Sequence, residues 1–194
     1  MKTFNDISPF EGVYSDFICL KNYELVTVVR TDGVNIEQLS LDEANELFDR
    51  YGEFISTFVH YKPQNVSMAI PVVMTPFVSE WKQRFIDTQN DPNLTYEMKQ
   101  LVASYAFEYQ QLETDIDTSV KAHFVVIKEK LKQPTLEELR VAEHRLNEKR
   151  EEIISGLNEL LSGYDCTSRV LNGNEAAHLM HQFLDYKSSI YHNK

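Results

Sequence analysis

Near residue 40 the apolar residues of this chain change their period, and that change limits the folds open to it. Before it, "SDFICLKN" (15–22) and "ELVTVVR" (24–30) are short, β-branched and aromatic, and a turn around Asn22 joins them as a strand hairpin. "TDGVNI" turns the chain again on Asp32-Gly33. After it, in "SLDEANELFDRYGEFISTFVHY" (40–61), Leu47, Tyr51, Phe54, Ile55 and Phe58 recur at three and four, the helix period. Ser40 and Glu43 have the spacing of a capping box, and Pro63 ends the helix. Gly52 costs this helix about 1 kcal/mol relative to alanine.

The alternation continues. In "NVSMAIPVV" (65–73), Val66, Met68, Ile70 and Val72 share a strand face, and Pro71 puts its end at a sheet edge or beyond the ladder. "FVSEWKQRFIDTQ" (77–89) and "LTYEMKQLVASYAFEYQQLE" (94–113) are helices broken at Asp91-Pro92, long enough together to project from a sheet domain. "SVKAHFVVI" (119–127) returns to strand alternation. "PTLEELRVAEHRLNEKREEIISGLNELLSGY" (134–164) is a long helix with Thr135 as cap and Glu138 completing a capping box. Its stripe is Leu136, Leu139, Leu146, Ile153, Leu157 and Leu160, and Gly163 is its stop. "YDCTSRVLN" (164–172) is a short strand and "GNEAAHLMHQFLDYKS" (173–188) a last helix, capped by Asn174.

Setting aside the first strand, the inserted helix pair and the last helix leaves two β-α-β units. This is the ferredoxin-like α+β plan, an antiparallel sheet with helices on one face. The organisation expected is an N-terminal arm (1–14, with Phe4, Phe10 and Tyr14 to pin it), a single domain (15–188) with a helical insertion at about 77–113, and a frayed tail (189–194). No internal repeat underlies the duplication.

The balance of 19 basic against 30 acidic residues gives a net charge of −11. Such a surface repels phosphate backbones and anionic lipid, so neither direct nucleic-acid binding nor electrostatic membrane docking is expected. Cys19 and Cys166 sit in apolar stretches and read as buried free thiols. The N-terminus has no apolar signal segment, and no apolar run reaches the roughly 18 residues of a spanning helix. The reading is a cytoplasmic protein that meets membranes only through partners.

Chemistry-bearing constellations are sparse. Glu175, His178 and His181 stand at spacings of three on one helix face and are a candidate metal set for a small metal-dependent hydrolase, with Asp115 and Asp117 as further acids. They lack the HExxH pattern, and a solvated, partly packed face explains them as well. "DIDTSV" (115–120) reads as a polar turn before a strand. No phosphate loop, dinucleotide fingerprint, nucleophile elbow or CxxC occurs. In the long helix, Glu148 with Glu152 and Arg145 with Lys149 are like-charged pairs at i, i+4. The aromatics of the inserted pair, Trp81, Phe85, Tyr96, Tyr105, Phe107 and Tyr109, are many for two helices outside the sheet plan to bury. Trp81, Phe85, Tyr96, Tyr105 and Tyr109 are therefore candidates for an interaction surface. No catalytic residue and no cofactor is expected.

"ISPFEGVYSDFICLKNYELVTVVRTDGVNIEQLSLDEANELFDRY" resembles the opening of the ATPases that energise type IV secretion and conjugation. There a Pro-containing lead-in precedes two strands, a "dG" turn and a helix with the same kind of start. "HFVVIKE", "EELRVAEHRLNEKREEI" and "GYDCTSRVLNGNEAAHLMHQFL" follow in the family's order, so the resemblance covers residues 7 to 187. It departs in one respect, the missing nucleotide-binding motor domain, and so carries over no catalytic residue. It implies a chain similar to the small stand-alone proteins of Gram-positive plasmids and conjugative transposons that work beside the transfer ATPase. The implied partners are that ATPase and the membrane channel subunits; self-association is left open.

Overall fold

The computed structural model describes residues 8–71, 75–89, 91–114 and 119–184. In chain order the elements are β1 (Phe10–Tyr14), β2 (Phe17–Leu20), β3 (Glu24–Thr31), α1 (Leu41–Phe58), β4 (Gln64–Pro71), α2 (Thr75–Gln89), α3 (Tyr96–Thr114), β5 (Ser119–Lys130), α4 (Leu136–Leu160), β6 (Ser168–Val170) and α5 (Gly173–Leu184). Short 3-10 turns at Ile36–Gln38 and Val59–Tyr61 flank α1. The chain divides into two compact units, Met1–Met68 with Ala122–Lys194, and Ala69–Lys121. The second unit holds the helical hairpin of α2 and α3, inserted in the sequence of the first.

The sheet has the order β1-β2-β3-β5-β4, with β6 also on β3. Taking β3, β4, β5 and β6 as the four strands of the duplicated plan, their order across the sheet is fourth, first, third, second, the ferredoxin-like arrangement. One edge of β3 is shared end to end. β2 pairs with its start (Ile18 opposite Val26, Leu20 opposite Glu24), and β6 with its finish (Val170 opposite Val29, Ser168 opposite Thr31).

Alternation along the strands builds two apolar faces. Leu25, Val29, Val125 and Ile127 join Leu47, Phe54 and Phe58 of α1 and Leu146, Ile153 and Leu157 of α4 in one core. Each such side chain contributes about 1.5–3 kcal/mol on burial. The alternate residues Val26, Val28 and Phe124 are also buried, and with Ile18 they face Ala176, Leu179 and Met180 of α5. So α1 and α4 occupy one face, as the plan requires, and the last helix, which the plan set aside, takes the other. Close approach of α1 to α4 depends on Gly156: a Cβ there would lie 2.4 Å from Phe58 Cε2. Gly163, with φ +94°, ends the turn after α4 in the left-handed region, the stop read from sequence.

Several local expectations need correction. Residues 10–14, read as part of an arm, form β1, antiparallel to β2. Phe10, Gly12 and Tyr14 are half-buried and Glu11 and Val13 exposed, an alternation that is short and carries a glycine on its inner side, which hid the strand. Asp32-Gly33 closes no turn. Instead Asp32 Oδ2 accepts from Thr167 N (2.9 Å) and Thr167 Oγ1 (2.7 Å), tying the end of β3 to the approach to β6. Asn172, not Asn174, caps α5: its Oδ1 accepts from the amides of Asn174 and Glu175 at 3.0 Å each, and Glu175 Oε2 accepts from Asn172 N at 2.9 Å. The Ser40–Glu43 box is formed in full. That of α4 is half formed: Thr135 Oγ1 accepts from Glu138 N, but the Glu138 carboxylate takes the amide of Lys132. Leu136 is 76% exposed, because it precedes the part of α4 that meets the sheet. Cys19 and Cys166 are free but only half-buried. Phe4, Val72, Asp115, Asp117 and the tail 189–194 lie outside the described residues.

Candidate protein-docking surface

The hairpin is built from ring contacts across two helices. Its bend is an Asx turn, Asp91 Oδ1 accepting from Asn93 N at 2.9 Å, and Lys99 Nζ donates to Gln89 O at the end of α2 (3.0 Å). Trp81 of α2 stacks on Tyr105 (centroids 4.8 Å) and Tyr109 (6.0 Å) of α3, and Phe77 stacks on Tyr109 at 6.3 Å. The Arg84 guanidinium lies 4.8 Å above the Trp81 ring while pairing with Glu80 at 2.6 Å. These stacks are worth about 0.5–1.5 kcal/mol each beyond area.

The five candidate aromatics therefore divide. Trp81, Tyr105 and Tyr109 hold α2 to α3, and Phe85 is half-buried. Tyr96 stands out at 71% exposure, its hydroxyl accepting from Gln100 Nε2 at 2.8 Å. Sequence reading missed the aliphatic partners of the surface. Met98 (52%), Leu101 (56%), Tyr105 (40%) and Leu112 (38%) are exposed and recur at three, four and seven along α3. That is one helical stripe, and its spacing was the available signal. Phe107, Phe77 and Ile86 add exposed apolar surface elsewhere on the hairpin.

The histidine helix is organised differently from a metal centre. Glu175 caps α5 and pairs with Arg169 Nη1 at 3.0 Å, and the Arg169 hydrogen bond, then the Asn172 amide, hold its carboxyl below the usual range. His178 Nε2 lies 3.1 Å from Gln182 Nε2. Glu175, His178 and His181 do not converge, and among the described residues no group of three His, Cys, Asp or Glu could hold a metal ion. The hydrolase built on them has no assembled centre there.

A groove of about 330 Å³ opens between α1, the Asp32–Ile36 loop and the sheet. Its lining includes Val34, Leu47, Phe48, Tyr51 and Val125, with two polar pairs: Ser67 Oγ with His123 Nδ1 at 2.8 Å and Tyr51 Oη with Asn65 Nδ2 at 3.2 Å. The other edge of the His123 ring packs on Gly33, where a Cβ would lie 2.8 Å from Nε2. The acid lining the groove, Asp32, is engaged by Thr167, whose donors lower its pKa, and Ser67–His123 is a hydrogen bond between β4 and β5.

The charged face of α4 is also tied inward. Glu129 of β5, with its side chain 15% exposed, bridges Lys149 (2.5 Å) and Arg145 (3.6 Å), so the like-charged i, i+4 pair shares one counter-ion. Glu152 accepts from Tyr61 Oη at 2.5 Å, which raises the Tyr61 pKa.

A ferredoxin-like sheet unit interrupted by a helical hairpin defines the class. Within it the chain belongs to the TraC-like family: the model of the Archaeal TraC-like domain matches residues 12–185, from β1 to just beyond α5. Membership points to a role in conjugation or secretion. No curated protein matches the chain. No described helix is long and apolar enough to cross a membrane.

Proposed function

We propose that this chain is a non-catalytic, cytoplasmic component of a conjugative type IV secretion machine that docks to the transfer ATPase or to membrane channel subunits. The observation that carries the reading is the stripe of Met98, Leu101, Tyr105 and Leu112, left exposed on a hairpin whose aromatics already hold it together. An exposed apolar helical face is how helices meet partner proteins. Membership in the TraC-like family supports the setting, and the net charge of −11 supports a protein rather than a nucleic-acid partner. The placement among stand-alone proteins of Gram-positive elements rests on the resemblance of residues 7 to 187; the matching family model is archaeal, and docking does not depend on the host. Pull-down with the ATPase of the same transfer system tests it. Association at micromolar concentration, lost in a Met98→Asp, Leu101→Asp double variant, is expected; no association counts against it.

A further inference from the structure

We infer that a second copy of this chain pairs with the free edge of β4 to make one continuous sheet across a two-fold axis. Among the described residues the path of the sheet ends on β1 and β4, and β6, which pairs only with β3, is three residues long and carries Arg169. β1 carries a register shift between Phe10 and Gly12 and a charge at Glu11, features that keep an edge from pairing. β4 carries no charge, and from Pro63 to Ser79 the sequence holds no Asp, Glu, Lys or Arg. In a chain of net charge −11, two copies repel over most of their surface, and this neutral strand is where they approach at least cost.

The strand is also self-complementary. Antiparallel pairing centred on Ser67 sets Val66 opposite the second copy's Met68, Asn65 opposite its Ala69 and Ser67 opposite Ser67. Pro63 and Pro71 stand equally far from Ser67, so residues without an N–H fall at both ends of the ladder together. Val66 and Met68 are half-buried and line an apolar groove of about 180 Å³ with Val126 and Phe183. In the pair, the second copy's Met68 and Val66 cover them. No like charges face each other, and the apolar residues meet on a single face.

Sedimentation of the full chain over a concentration series up to about 100 µM tests this. A dimer is expected. Ser67→Asp and Ser67→Lys each place like charges across the axis and should weaken self-association by roughly tenfold or more. Mixing the two variants should restore it. Ser67 is exposed, and a cooperative urea transition at a concentration where the wild type is monomeric will show that each variant folds. Independently, Ser67→Cys should form a covalent dimer through position 67 on oxidation. A monomer at the highest concentration overturns the proposal and leaves the edge to a strand of another protein. A dimer untouched by both charged variants overturns it too, by placing the interface elsewhere.

Discussion

In the sheet unit Leu25, Val29, Ile127, Leu146 and Ile153 are wholly buried; in the hairpin Val78 and Ala106 are the buried apolar side chains among the described residues. Sheet strands offer two faces, and three helices cover them. Two helices side by side offer each other one stripe apiece, and most of their apolar surface stays outside. The sheet unit is held by area removed from water, the hairpin by a few ring stacks between its helices. Buried apolar packing and exposed apolar surface are thus concentrated on different parts of the chain.

The largest effect should fall in the sheet unit. Leu146→Ala removes a side chain with 0% exposure between α4 and the sheet and should cost about 2–5 kcal/mol, read from urea unfolding. Gly156→Ala should cost about 1–3 kcal/mol, because Phe58 and Phe54 must move from the new methyl group. Trp81→Ala sharpens the contrast between the units. It should raise amide exchange across 75–114 by roughly tenfold, the worth of its lost stacks, and leave the sheet unit's slowest amides unchanged. A global loss of protection would show that the hairpin is no separate unit. Gly52→Ala should stabilise by about 1 kcal/mol, since a Cβ there meets nothing within 4 Å. The smallest effect is acid dependence. Thr167 holds the Asp32 carboxyl below its ordinary value, so its contribution is present above roughly pH 4 and lost as pH falls through the folded pKa. Solvent exposure keeps it small. The stability gap between wild type and Asp32→Asn should narrow over that range.

Much of the scaffold was legible because it is periodic. The helix period of α1 and its capping box are local signals that the packed chain obeys, with Leu47, Phe54 and Phe58 buried and Tyr51 exposed, while on β5 the alternation holds at Ala122 and Phe124, Val120 is exposed, and Val125 and Ile127 enter the main core. What escaped was tertiary. Asp32-Gly33 has turn composition, but its reason is Thr167 and the His123 ring, distant in sequence. Arg145 and Lys149 look repulsive until Glu129 is placed between them from β5. On the hairpin, aromatics drew the eye to rings that mostly hold helix to helix. The exposed stripe is largely aliphatic, and sequence alone cannot tell a stripe that meets a neighbour from one that does not.

Hydrogen exchange of the chain, alone and with the transfer ATPase of its own system, probes the docking surface most directly. The account predicts slowed exchange concentrated on α3 between residues 96 and 112, with the core amides of β3 and β5 unaltered. Binding that leaves α3 exchanging as freely as before, and protects the sheet unit instead, would contradict it.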